Sequence, residues 1–539
     1  MSISKTLFIN IPAQIDYIGS PIDASLEHIG LGYLAAYLKE RGIEVKLIDA
    51  HSRRLSEIQI FGKIKEYNPK FLCVSPTYYS WNLTISLLKK TKKTYPEIVT
   101  IAGGSHVSFD PILTGCFKKY NCFDFVVKGD GEIALCKIIN NFLERNPFQK
   151  IKGVSYRDKN GNVHIDNNYA EIIDNLDRLP FPLHDIEPIK NQYLRICTSR
   201  GCYKKGHGCT FCNSSEMNPE GWRFRSASNV VNEIELWHSK GFKNFICAES
   251  EFLGINKIGL ERGKKIADEI AKRKLKLNLR IFCGVRQIIQ ADKIGLLMDL
   301  QKAGVERIYP GIEAGNDKDL SLYNKHINTT MCKEAIKILE DRNFGIQIGF
   351  IMFHPWSDIK SIEQNINFLR EIKQAHLWYH FFKRMALFPG NKMYNLVKKN
   401  NLFFINENEV SFGEDFAFNY KFVNLEIEKL SKLNKYFETK PSLIQTNRAL
   451  ISADIFFSKL SKEEKTISSK MGQILNEYIM LKEKIANINI KTFRKLLRIC
   501  FRSSFTIEAE KILDRYNSEI EEIHEKIFSI LVKFGNNNK

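Results

Sequence analysis

Through residues 1 to about 150, short apolar runs alternate with stretches in which apolar positions return every three or four residues. "TLFINIP", "IEVKLIDA", "FLCVSPT", "EIVTIAGG" and "FDFVVKGDGE" are rich in β-branched and aromatic residues and read as strands. Between the first two, "LEHIGLGYLAAYLKERG" sets Ile29, Tyr33, Leu34, Tyr37 and Leu38 at helical spacing before Gly42 ends the pattern. Strands and helices in alternation predict an α/β fold with a doubly wound parallel sheet, whose ligands sit beyond the C-terminal strand ends. Three of those ends carry small or turn-forming residues: "SPT" at 75–77, "GGSH" at 103–106 and "GDGE" at 129–132. Glycine there lets backbone approach a ligand, and Glu132 falls in the first turn of the next helix, where the dipole favours a carboxylate.

The pattern then changes. "GVSYRDKNGNVHID" reads as a hairpin about Asn160-Gly161, and "LDRLPFPLHD" as a proline-stiffened crossing. From about residue 192 strands return as "NFICAES", "LRIFCGVR", "RIYPGIEAG" and "GIQIGFIMFHP", separated by helical patterns such as "SNVVNEIELWHSKG". The C-terminal stretch holds long amphipathic patterns, "EEKTISSKMGQILNEYIMLKEKIANI" and "TIEAEKILDRYNSEIEEIHEKIFSILVKF", of the kind that packs on a neighbouring domain. The expected organisation is a first domain at 1–150, a linker at 151–191, a second α/β domain at 192–425 and a helical domain at 426–539.

At 539 residues the chain exceeds what one hydrophobic core holds, and 44% hydrophobic residues exclude a disordered or collagen-like chain. The start lacks the charged and apolar regions of a secretory signal, and no apolar run approaches the ~20 residues of a membrane span. A cytoplasmic protein with mostly reduced cysteines is therefore expected. The formal charge of +19 is spread in short groups such as "KRKLKLNLR", which argues against a nucleic-acid partner and mildly favours an anionic substrate.

Four of the 12 cysteines crowd into "CTSRGCYKKGHGCTFCN", residues 197–213. A structural zinc would need the pairs Cys197/Cys202 and Cys209/Cys212, yet Cys197 ends the apolar run "YLRIC", where an inert buried cysteine is common. Three thiolates on one loop, Cys202, Cys209 and Cys212, instead suit a four-iron cluster whose fourth iron is left open for a ligand.

With Phe211 directly before the last cysteine, "TSRGC…CTFCN" resembles the cluster loop of radical S-adenosylmethionine (SAM) enzymes, in particular their cobalamin-binding class. "LGYLAAYLKERG", "AGGSHVS" and "VVKGDGE" resemble that family's cobalamin domain, "NLDRLPFP" its linker, "RFRSASNVVNEIE" the segment after the cluster and "LQKAGVERIYPGIEAGNDKDLSLYNK" its fourth barrel strand region, in the family's order over about the first 390 residues. The resemblance implies a Rossmann-like cobalamin domain and a partial (β/α) barrel. It also implies a [4Fe-4S] cluster on Cys202, Cys209 and Cys212, with SAM and cobalamin as further cofactors.

By the same resemblance, Glu249 would face the SAM amine, Arg286 its carboxylate, Glu313 the ribose hydroxyls and Phe211 the adenine. Pro12, Ser75, Thr77, Gly103, Gly104, His106, Gly129 and Glu132 would contact cobalamin. An electron donor such as flavodoxin or ferredoxin is expected, and no catalytic acid or base is assigned.

Two features depart from the family. Six residues, "YKKGHG", separate the first two cluster cysteines where three are usual, and His207 within them reads as an exposed loop residue. The first domain has no D-x-H-x-x-G, "DYIGSPID" standing in that neighbourhood, so no histidine from this loop is expected on cobalt. The expected activity is methyl transfer from methylcobalamin to an unactivated carbon of a small-molecule or peptide substrate. The alternatives are a rearrangement, cyclisation or ring contraction by the same cofactors, a basic zinc protein binding RNA, and a cobalamin carrier without catalysis.

Overall fold

A computed structural model describes residues 5–13, 27–146, 150–185, 193–254, 256–406, 409–463 and 469–537. The apolar runs of the first part form β1 (Thr6–Asn10), β2 (Val45–Asp49), β3 (Phe71–Val74), β4 (Val99–Ala102) and β5 (Phe125–Val127). They pair in parallel in the order β2-β1-β3-β4-β5. Nearly every residue of these strands is buried, because helices cover both faces.

The Asn160-Gly161 turn closes a hairpin of β6 (Val154–Arg157) and β7 (Val163–His164), with Gly161 at φ +84°. This hairpin adds antiparallel to β5 and so extends the first sheet to seven strands. The proline-rich crossing then lies on the first helix, Ile29–Glu40, where Leu183 N donates to Gly32 O at 3.1 Å. A Cβ on Gly32 would stand 2.3 Å from Leu183 O, so only glycine admits that approach.

The second part begins with β8 (Leu194–Ile196), followed by the short antiparallel pair β9 (Ser199–Arg200) and β10 (Arg223–Phe224). β11 (Asn244–Cys247), β12 (Asn278–Cys283), β13 (Val305–Glu313), β14 (Gly345–Ile346) and β15 (Gly349–Phe350) complete it. The parallel order is β8-β11-β12-β13-β14, with β15 also on β13 and a further parallel bridge from Phe353 to Arg384. It is an open, partial barrel with helices outside. One strand face holds a separate cluster of Tyr193, Ile246, Phe282 and Tyr309, and beside it the buried Arg280 pairs with Glu306 at 3.0 Å.

Helices Pro441–Glu463, Ser469–Ile499 and Phe505–Asn537 pack on one another and on the β13–β14 side of the barrel. Their apolar stripes are spent on that contact. Polar groups fix the docking: Arg307 Nη2 donates to Ile451 O at 3.2 Å and Trp378 Nε1 to Leu443 O at 3.0 Å. Among the described residues, no helix is long and apolar enough to cross a membrane.

Candidate active site

The cysteine loop starts where β9 ends. Gly201, at φ +84°, could bear no side chain, because a Cβ would lie 2.1 Å from Gly221 O. Cys202, Cys209 and Cys212 are half-buried within the loop, and Cys212 N donates to Cys209 O at 3.0 Å. The six-residue insertion is tied down by Asn324, whose side-chain amide donates to His207 O at 3.0 Å and Gly208 O at 3.1 Å, leaving His207 exposed.

Burial pushes the Cys212 thiol up to about 11 and raises Cys202 as well, so this loop keeps protons that a bound metal would displace. Lys204 Nζ stands 3.6 Å from Cys209 Sγ. A donor set of sulfur alone with an ammonium beside it fits an anionic iron–sulfur cluster. Among the described residues no three Cys, His, Asp or Glu side chains converge on one ion. Cys197 turns elsewhere: its thiol donates to Ser199 O at 3.1 Å, and it borders a different cavity.

Two cavities flank this loop. The larger, about 1080 Å³, lies where the first domain faces the barrel. Tyr78 and Tyr79 after β3, Phe211 of the cysteine loop, Glu313 at the end of β13, and residues of 383–388 and 404–439 enclose it. The smaller, about 250 Å³, runs from the start of helix Ile29–Glu40 past the ends of β3, β4 and β5 to Cys197 and Arg200. Within it His28 Nε2 and Ser75 Oγ share a 2.8 Å hydrogen bond, while His28 Nδ1 is buried without a partner among the described residues. Burial lowers His28 to about 4, so the ring is neutral.

A B12-binding domain model matches residues 17–139 and a Radical SAM superfamily model residues 196–369, together more than half of the 539 residues. The chain belongs to the cobalamin-binding radical SAM enzymes. It is 26% identical over 411 residues to an uncharacterized methyltransferase of Pyrococcus horikoshii, covering 75% of this chain and 85% of the relative. It is 27% identical over 371 residues to the anaerobic magnesium-protoporphyrin IX monomethyl ester cyclase of Rubrivivax gelatinosus, covering 66% of this chain and 63% of that protein. The fold matches the cobalamin-dependent SAM radical enzyme OxsB with aqua-cobalamin bound at a TM-score of 0.71 and 18% identity, over 100% of this chain and 81% of the other.

Of the residues expected around cobalamin, Ser75, Gly103, Gly104, Gly129 and Glu132 line the smaller cavity of the cobalamin domain. Gly104 is forced, since at φ +89° a Cβ would lie 2.1 Å from Ser75 Oγ. Glu132 also reaches across to the radical SAM domain, where Arg200 Nη2 donates to it at 2.6 Å. Pro12, Thr77 and His106 border neither cavity. Thr77 N donates to Ser80 Oγ at 2.9 Å, and the buried His106 packs on Trp81 and hydrogen-bonds Phe412 O at 2.8 Å. "DYIGSPID" lies outside the described residues.

Of the residues expected around SAM, Phe211 and Glu313 line the larger cavity. Glu313 has φ +77° and stands 3.7 Å from Lys325 Nζ. Glu249 is buried beneath the loop and accepts hydrogen bonds from Thr198 N at 3.1 Å and Thr198 Oγ1 at 2.5 Å. Burial raises its carboxyl above the usual range. Arg286 is at the surface, with Nε donating to His326 O at 3.0 Å. His28, Tyr78, Tyr79 and Arg384 were not foreseen. The run "YYSW" directly after "SPT" was a legible signal for the two tyrosines, whereas nothing local marks Arg384.

Proposed function

We propose that the chain is a cobalamin-dependent radical SAM methyltransferase that methylates an unactivated carbon of a small-molecule or peptide substrate held in the larger cavity. The observation that carries this reading is the composition of that cavity's wall, in which Phe211 of the cysteine loop and Tyr78 and Tyr79 of the cobalamin domain face one space. When bound, the cofactors supply the one-electron cleavage of SAM and the methyl group.

The chain's own residues then have positional tasks. Cys202, Cys209 and Cys212 hold the cluster; Phe211 lies along the adenine and Glu313 accepts from the ribose hydroxyls. Thr198, hydrogen-bonded to Glu249, sits three residues before Gly201, so Glu249 acts as a positioning residue that seats the loop. In the smaller cavity, Gly103 and Gly104 let backbone approach the cofactor tail, with Ser75 and His28 offering it polar contacts. A reactive carbon has to be kept from water, and the aromatic side chains of Tyr78, Tyr79, Phe211 and Phe388 are the apolar part of the wall that would do so. None of the twelve cysteines is paired in a disulfide, and flavodoxin or ferredoxin delivers the electron in this reading.

The test is anaerobic purification with iron, sulfide and cobalt analysis, followed by mass spectrometry of SAM products. Methyl transfer yields S-adenosylhomocysteine and 5′-deoxyadenosine together with a methylated product. Deoxyadenosine and an unmethylated, rearranged or cyclised product would support the second reading, which the likeness to the Rubrivivax cyclase favours. An iron-free protein after reconstitution would sink both.

A further inference from the structure

Arg384 is an anomaly in the wall of the larger cavity. Its backbone extends the barrel edge, paired with Phe353, and Met385 N donates to Phe353 O at 2.8 Å. The guanidinium carbon lies 5.3 Å from the ring centre of Phe418, 5.0 Å from that of Tyr420 and 5.6 Å from that of Phe422. Aromatic rings stabilise the cation but accept none of its in-plane hydrogen bonds, and the Tyr420 hydroxyl, which donates to Met385 O at 2.8 Å, meets the guanidinium without satisfying Nε or Nη2. Nε and Nη2 are both buried without a hydrogen-bond partner among the described residues.

The cavity holds other charges, and none resolves the anomaly. Glu313 pairs with Lys325 at 3.7 Å, and Lys432 with Glu428 at 2.7 Å. Glu409 and Asp415 line the cavity too, yet no carboxylate of the described residues forms an ion pair with Arg384. Leaving two buried donors of a permanent cation unmade is costly, whereas one carboxylate or phosphate would satisfy Nε and the adjacent Nη2 together in the fork geometry that arginine presents. Lys383, the neighbouring residue, adds a second cation to the same wall.

We propose that Arg384 is the receptor for an anionic group of the substrate, a carboxylate or phosphate, clasped through Nε and Nη2 while Phe418, Tyr420 and Phe422 hold the guanidinium in place. This rests on the larger cavity being the substrate site. SAM also carries a carboxylate, so the experiment separates the two sources.

The full chain, reconstituted anaerobically with cluster and cobalamin, is titrated with inorganic phosphate by ³¹P line broadening and thermal shift. S-adenosylhomocysteine affinity is measured in parallel. Saturable phosphate binding is expected, weakened about tenfold or more by Arg384→Gln and partly retained by Arg384→Lys, with S-adenosylhomocysteine affinity unchanged. In the native protein, phosphate should still bind when S-adenosylhomocysteine is saturating, a comparison that needs no variant to fold. Phosphate binding indifferent to Arg384→Gln, or competitive with S-adenosylhomocysteine, overturns the proposal. No methyl-transfer assay enters, so a different reaction at this site would leave the result readable.

Discussion

Arg200 and Glu132 form an ion pair of 2.6 Å that crosses from the strand before the cysteine loop to the first turn of a cobalamin-domain helix. Asp130 joins it, 3.1 Å from Arg200 and 2.8 Å from Arg223. Burial opposes ionisation of Asp130, but the two guanidinium groups outweigh it and hold its carboxyl below the usual range. The "GDGE" turn therefore binds the two domains together at the edge of the smaller cavity. Arg200→Met leaves the buried Glu132 without its cation and Asp130 with Arg223 alone, and should cost about 3–5 kcal/mol. A melting temperature unchanged in the variant would contradict this account, as would unchanged retention of cobalamin on gel filtration.

Gly104→Ala places a methyl group 2.1 Å from Ser75 Oγ at a backbone angle of φ +89°. Ser75 must move, which breaks its hydrogen bond to His28 and narrows the smaller cavity. Cobalamin affinity, followed by its visible absorption, should fall about tenfold or more while iron content stays normal. Equal cobalamin binding in the variant would show that this cavity does not hold the cofactor.

The cysteines should separate cleanly. Replacing Cys202, Cys209 or Cys212 by alanine is expected to abolish the iron-dependent absorption near the visible edge and all SAM cleavage. Cys197→Ala removes only a half-buried thiol that donates to Ser199 O, so iron and sulfide content should match the native protein. Loss of iron in that variant would instead favour a four-cysteine site.

Glu251 gives a pH signature. Burial raises its carboxyl to about 8 despite hydrogen bonds from Gly284 N at 2.8 Å and Leu253 N at 3.1 Å. Because the folded protein holds this proton more tightly than the unfolded chain, the contribution to stability is full below about 4.5 and is lost as pH rises through about 8. Glu251→Gln removes that dependence. The difference in melting temperature, variant minus native, should therefore increase from pH 5 to pH 9, and a flat difference would refute the assignment.

Asp454 links the helical domain to the barrel, accepting hydrogen bonds from Tyr478 at 2.9 Å and Lys482 at 2.5 Å and lying 3.1 Å from His376 Nε2. Asp454→Ala strands Lys482 beside a buried histidine and should cost about 3–5 kcal/mol. Limited proteolysis should then release fragments from the last three helices before the barrel is cut; simultaneous loss of all parts would mean that the helices do not dock through this contact.

The sequence by itself determined the strands β1 to β5 and β11 to β13, because a run of apolar β-branched residues reports burial of that segment whatever covers it. It also determined the cysteine loop, whose donors lie within one short stretch, and the special backbone of Gly104, which a turn after a strand requires. Only the tertiary structure decided what the polar groups near those turns meet. His106 bonds to Phe412, 306 residues away, and Glu132 is taken by Arg200. Arg384 is caged by rings from 418–422 and left without a counter-ion among the described residues. Periodicity encodes which face of an element is apolar, but the partner of a buried polar atom is set by where distant segments cross, and no local pattern carries that information.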